Sequence, residues 1–169
     1  MATPEPEVRG ANNNERLLAA ARSDNEELLL EIFDDGEFDI NCQDGLGNTP
    51  LHNAVMHGSV DVLEHILSHE ECDVDPINRI DKATPLHLAV QLEDPELRLH
   101  IVGSLLEAGA DTTLKDKNGF TVPDIVSSDD TAVLAAIRKA KAQDSISNDD
   151  IAHDDDDDDD GEGSGSDSE

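Results

Sequence analysis

The stretch "DGLGNTPLHNAVMHGSVDVLEHIL", Asp44–Leu67, decides the fold. Thr49 suits an N-cap, where its hydroxyl accepts a backbone N–H of the first helical turn. Pro50 then falls at the first helical position, where a missing N–H costs nothing. Leu51, Ala54 and Val55 mark one buried stripe. Gly58 stops this helix, and Ser59 is placed to cap a second one carrying Val62, Leu63, Ile66 and Leu67. Helices this short are unstable alone, so the unit must gain its stability by stacking on copies of itself.

Copies are present. "RIDKATPLHLAVQLEDPELRLHIVGSLLEAGAD" begins at Arg79, and "DKNGFTVPDIVSSDDTAVLAAIRKA" begins at Asp116. Thr49, Thr84 and Thr121 recur at intervals of 35 and 37 residues. The unit from Arg79 repeats the pattern with Pro85, Leu86, Ala89 and Val90. Its second helix opens on Asp94 as cap and Pro95 at the first position, carries Leu97, Ile101, Val102, Leu105 and Leu106, and ends at Gly109. A weaker copy without Thr-Pro, "NNERLLAAARSDNEELLLEIFDDGEFDINCQ", precedes them.

"TPLHNAVMHG", "TPLHLAV" and "LLEAGAD" resemble the ankyrin repeat family, in its Thr-Pro-Leu-His signature, its repeat end and its ~33-residue period. The resemblance spans Asn14 to Lys141. It implies an all-α repeat protein: an ankyrin solenoid of about four repeats, with paired helices, β-turn fingers, a concave face and disordered termini. It also implies that Thr49, Pro50, Leu51, His52, Thr84, Pro85, Leu86 and His87 are structural, with both histidines making hydrogen bonds. The expected organisation is a disordered lead over 1–12 and a repeat domain over 13–141. The repeats fall at about 14–43, 44–78, 79–115 and 116–141, and a disordered acidic tail covers 142–169. Three departures stand out. Four extra residues around "QLEDPELRLH" predict a longer helix or loop. The turn glycine of Gly47 and Gly119 reads as Ala83 in the third unit, which would cost about 1 kcal/mol if φ is positive there. The last unit has Pro123 one place late and lacks the histidine.

Charge narrows the function classes. The chain carries 41 acidic and 11 basic side chains, a net charge of −30. Thirteen of the acids lie from Asp144 onward, with no Lys or Arg, which leaves −17 before it. Such a surface repels nucleic acid and anionic membranes and attracts basic proteins. Phe33, Phe38 and Phe120 are the only aromatics, so no platform for stacking bases exists. Two cysteines, Cys42 and Cys72, make no disulfide framework, "MATPEPEVRGANNN" has no apolar run, and no apolar stretch approaches 18 residues. The expectation is a cytosolic or nuclear protein that does not span a membrane.

The residues offer three kinds of candidate site. His65 and His69, four apart, with Glu70, Glu71 and Cys72 nearby, have a spacing that suits a metal, but no second ligand cluster matches them, so the reading is no metal and no cofactor. Cys42, Asp44 and His52 lie near one another in sequence, yet each holds a repeat position, and no nucleophile elbow, phosphate loop or zinc-protease helix occurs; the reading is not an enzyme. Binding of another protein is what remains. Positions the resemblance assigns to partner contact are Asp44, Leu46, Asn48, Asp81, Lys82, Asn118 and Phe120 on the fingers, and Asn53, Met56, His57, Leu88, Gln91 and Leu92 on the first helices. Met56, Leu92 and Phe120 suit apolar anchors. Leu88 and Leu92 equally suit packing against the next repeat.

The run Asp154, Asp155, Asp156, Asp157, Asp158, Asp159 and Asp160 cannot enter a core, because charges roughly 3.5 Å apart repel well inside a Debye length. Three roles fit the tail: solubility, capture of a basic client, or docking onto Arg138, Lys139 and Lys141. Ser164, Ser166 and Ser168 sit among acids as candidate phosphorylation sites. The main expectation is a non-enzymatic interaction module, monomeric when free, that escorts a basic client such as a ribosomal protein or histone. In layout and charge alone it is similar to ankyrin-repeat chaperones of ribosomal proteins. The alternative is a scaffold or adaptor subunit whose tail only solubilises. Salt sensitivity separates the two, since exposed charges are screened and apolar contacts are not.

Overall fold

The computed structural model describes the backbone of residues 5–152 and the side chains of residues 13–144. The tail aspartates Asp154 to Asp160 and Ser164, Ser166 and Ser168 lie outside the described residues. Among the described residues every regular element is a helix: α1 (Glu5–Ser23), α2 (Glu26–Asp35), α3 (Pro50–Met56), α4 (Val60–Ser68), α5 (Pro85–Ala89), α6 (Pro95–Glu107), α7 (Val122–Ile125) and α8 (Thr131–Ala152). α1 reaches back to Glu5 and α8 runs on to Ala152, so each extends past the expected domain limits at 13 and 141.

The helices stack in two layers. The odd-numbered helices pack in sequence on one another, and the even-numbered helices do the same behind them. Between the layers runs one continuous core that includes Leu17, Ile32, Leu51, Val55, Leu63, Ile66, Leu86, Ile101, Leu105, Val122 and Ile137. Each fully buried aliphatic side chain contributes about 1.5–3 kcal/mol relative to exposure. No helix among the described residues is long and apolar enough to cross a membrane.

Each unit starts as its local chemistry dictates. The Thr49 hydroxyl accepts the His52 N–H at 3.3 Å, and the His52 Nδ1 accepts the Thr49 N–H at 3.1 Å. Thr84 and His87 repeat this at 3.3 and 3.2 Å. The other ring nitrogen reaches the next unit: His52 Nε2 lies 2.9 Å from the Ala83 carbonyl, and His87 Nε2 lies 3.0 Å from that of Phe120. A carbonyl only accepts, so Nε2 carries the hydrogen and Nδ1 is the acceptor. Each histidine therefore caps its own helix and ties it to the following finger. In the last unit Asp124 replaces the histidine, its carboxylate accepting the Thr121 N–H and hydroxyl at 2.9 Å each. Among the described residues Asp124 makes no second bond to a following finger.

Several local expectations are corrected. Ser59 stands at the N-cap of α4, but its hydroxyl donates to the Ala21 carbonyl instead of capping. The α4 cap comes from the unit before, where Asp24 Oδ1 accepts the Val62 N–H at 3.0 Å. The third unit's counterpart of Gly47 and Gly119 is Lys82, two residues before its capping threonine, with φ of 51°. Ala83 is instead a buried residue at the finger base. The strain expected at Ala83 therefore falls on Lys82. The finger before Thr84 is one residue longer than the others: Asn78 takes the role of Asp44 and Asp116, its Oδ1 accepting the Asp81 and Ala83 N–H groups at 3.1 Å each.

The four extra residues of the third unit are helical. α6 has thirteen residues where α4 has nine. The buried pattern Val62, Leu63, Ile66 matches Ile101, Val102, Leu105, so the added turn is the first one, Pro95–Arg98. Leu97 of that turn lies over Gly58, where an added Cβ would meet Leu97 Cδ2 at 2.8 Å. Arg98 donates to Asp130 at 2.7 Å and to the Leu92 carbonyl, joining the third unit to the start of α8.

Candidate protein-binding surface

The fingers and the odd layer share one face. Adjacent fingers are hydrogen-bonded edge to edge, Arg79 N–H to the Leu46 carbonyl at 3.0 Å and Lys117 N–H to the Asp81 carbonyl at 2.9 Å. Gly47 makes the first approach possible, because a Cβ there would lie 2.5 Å from the Arg79 nitrogen. Within each finger a side-chain oxygen holds the turn. Asp44 Oδ1 accepts the Leu46 and Asn48 N–H groups at 2.9 and 3.0 Å, and Asp116 Oδ1 accepts those of Asn118 and Phe120 at 2.9 and 3.1 Å.

The structure sorts the residues assigned to partner contact. Leu46, Met56, His57, Lys82, Gln91, Asn118 and Phe120 are exposed. Asp44 and Asp81 are half-buried, the first 3.6 Å from Arg22 and the second 3.1 Å from Lys117. Leu88 and Leu92 are partly buried and packed on the core. Asn48 and Asn53, at 5% and 2% exposure, are internal. Asn48 accepts from the Asn78 amide at 3.0 Å, and the Asn53 amide donates to the Thr49 carbonyl at 3.0 Å, so both are spent on the stack. They are removed from the contact surface because their amides satisfy buried backbone and finger groups.

Five of these residues converge. Asp81, Leu88, Gln91, Asn118 and Phe120 line a cleft of about 320 Å³ between the third and fourth units, together with Ala83, Asp116 and Ile125. The sequence reading missed the last three. Register would have found Ile125, four residues after Thr121 as Leu88 is four after Thr84. Leu46, Met56 and His57 belong to the second unit and do not line this cleft.

Burial works against the ionised form of Asp44. The Asn48 and Leu46 N–H groups, the Asn53 amide and Arg22 outweigh it and hold the carboxyl below its ordinary range. Burial lowers the His52 pKa, against the Ala83 carbonyl and the Asp44 and Asp73 charges that raise it. The remaining chemistry-bearing groups have structural surroundings. Burial and the Asp39 charge push the Cys42 thiol up to about 12, and burial and Asp73 push Cys72 to about 11, so neither forms a thiolate nucleophile. His65 lies 2.7 Å from Glu26, while His69 packs edge-on against the stacked rings of Phe33 and Phe38. No three His, Cys, Asp or Glu groups converge on a metal position among the described residues.

Comparison with known proteins agrees with this architecture. The family description "Ankyrin repeats (3 copies)" matches residues 17–116. Ankyrin repeat-containing protein YGL242C of Saccharomyces cerevisiae is 38% identical over 134 residues, covering 73% of this chain and 74% of its own. The putative ankyrin repeat protein YahD of Escherichia coli is 35% identical over 94 residues, covering 55% of this chain and 46% of its own. E3 ubiquitin-protein ligase Ufd4 of Drosophila melanogaster is 31% identical over 121 residues, covering 70% of this chain but 4% of the ligase. Matched along the stacked units that the structure builds, the chain belongs to the ankyrin repeat family, whose repeats are protein–protein interaction modules.

Proposed function

We propose that this protein is a non-enzymatic escort for a basic client protein, such as a ribosomal protein or histone, in the cytosol or nucleus. Its use of charge carries the reading. Four of the eleven cations are paired within the body: Arg16 to Glu31, Arg22 to Asp44, Arg98 to Asp130 and Lys117 to Asp81. Arg79 is turned onto the Gly45 carbonyl. Acids outnumber bases 28 to 11 before Asp144, and thirteen more acids follow from there onward. Such a field attracts basic proteins, speeds their capture and repels nucleic acid and anionic membranes. It also favours a monomeric free state. The stacked face supplies shape, and the acidic tail supplies reach. The free thiols Cys42 and Cys72 fit a reducing compartment.

A scaffold or adaptor subunit is the second reading, favoured by the exposed side chains of Met56 and Phe120 at 38% and 48%. Affinity capture from cell extract separates the two. The full chain is compared with one ending at Gln143, at low and high salt, with partners identified by mass spectrometry. The escort reading expects basic proteins that depend on the tail and leave at high salt. A single partner retained by both chains at high salt refutes it and supports the scaffold.

A further inference from the structure

The cleft between the third and fourth units differs from the one before it. At the position four residues after the capping threonine, the second unit has Asn53, spent on the Thr49 carbonyl, whereas the next two have Leu88 and Ile125. One residue before the threonine, the units have Asn48, Ala83 and Phe120. Polar groups that close on themselves in the second unit are thus replaced by an apolar wall. The wall stays open for a structural reason: α7 ends at Ile125 after four residues, and the chain leaves in extended conformation at Val126. Among the described residues no segment covers Phe120, which stands 48% exposed, whereas the other two phenylalanines stack on each other.

Acceptors dominate the rim, which also holds the Asn118 amide. Asp116 spends Oδ1 on its own finger, and its Oδ2 takes no partner among the described residues. Gln91 donates its amide to the His87 carbonyl, leaving its own oxygen as an acceptor. Asp81 carries Lys117 on one oxygen. No Lys or Arg lines the cleft. An apolar floor rimmed by carboxylates complements a side chain that is apolar where it enters and cationic beside it. At about 320 Å³ the space is at the small end of ligand sites, suited to one or two side chains.

We propose that this cleft is the specificity pocket for the client: it takes a leucine, isoleucine or methionine side chain flanked by Lys or Arg, presented on an extended segment of the basic partner. The inference rests on the escort reading and adds a sequence preference to it. Charge draws the segment in, and the Phe120–Leu88–Ile125 wall chooses the register.

Selection of a random twelve-residue peptide library on the full chain tests this, run in parallel on Phe120→Ala and, as a control at an exposed apolar side chain of α2 outside the assigned surface, Leu30→Ala. Phe120 is exposed and bonds His87 through its main chain, so its side chain can be removed without opening the core; equal melting temperatures check this. The expected winners pair a large aliphatic residue with adjacent Lys or Arg on the wild type and on Leu30→Ala. On Phe120→Ala the aliphatic preference disappears. Titration of a winning peptide should then weaken about tenfold or more with Phe120→Ala, the effect of losing an anchor residue. Winners that are basic but show no aliphatic preference overturn the pocket and leave the escort reading standing. Winners without basic residues, or none at all, overturn both.

Discussion

Removing the Arg98 side chain should loosen the last unit before any other. Arg98 lies in the turn that the third unit has added, and its guanidinium bonds Asp130 at 2.7 Å while also holding the Leu92 carbonyl. The two charged side chains are 18% and 14% exposed, between the surface and buried regimes. Exposed pairs contribute about 0–1 kcal/mol, and breaking a buried one costs about 3–5. With the loop carbonyl also left unpaired, Arg98→Ala should cost about 2–3 kcal/mol. That corresponds to a fall of about 6–12 °C in melting temperature for a domain of this size. Part of any loss comes from the packed stem, which Arg98→Met retains. Asp130 also caps α8 by accepting the Val133 N–H, so Asp130→Asn is the partner variant that removes charge and preserves the cap. The assay is a double-mutant cycle by urea unfolding, with amide hydrogen exchange to locate the loss. Because each unit contacts only its neighbours, protection should fall first in α7 and α8 and last in α1. A cost below about 0.5 kcal/mol, as for an ordinary surface pair, refutes the clamp. Protection lost evenly along the stack refutes the local mechanism.

Gly47→Ala combines a φ of 84° with a Cβ 2.5 Å from the Arg79 nitrogen. It should cost about 2 kcal/mol or more in chemical denaturation, since left-handed backbone alone accounts for about 1–2. Lys82→Gly relieves the φ of 51° and should leave stability unchanged or raise it by up to about 1 kcal/mol, whereas Ala83→Gly should lower it by about 0.5–1. The opposite order would return the turn position to Ala83. Acidification tests His52. Its folded pKa is lowered, so the folded chain binds fewer protons, and the stabilisation is present above the unfolded value of about 6.5 and is lost as pH falls through it. The stability gap between wild type and His52→Gln should therefore narrow from pH 7.5 to pH 5, and a constant gap would refute the link.

The repeat was legible because each helix start rests on neighbours in sequence. Thr49–Pro50 and Thr84–Pro85 set caps by bonds to residues three places on, so two strings of ten and seven residues disclosed the stack. The contact surface was legible only in part. Asn48 and Asn53 are polar and occupy variable positions, yet they are buried, because their partners are the Asn78 amide and the Thr49 carbonyl. Reading Ala83 as the turn residue failed because the position two before the capping threonine is Lys82, a residue type that does not advertise a positive φ as glycine does.

The sequence alone determined the helix pairs, their order, their apolar stripes and the charge excess, since these depend on composition and on bonds within a turn. Only tertiary structure decided how one unit completes the next. Asp24 caps α4, His52 and His87 reach the following finger, and Arg98 clamps α8, each spanning 30 or more residues. Tertiary structure also opened the cleft beside Phe120, because α7 ends after four residues and the chain leaves it in extended conformation at Val126.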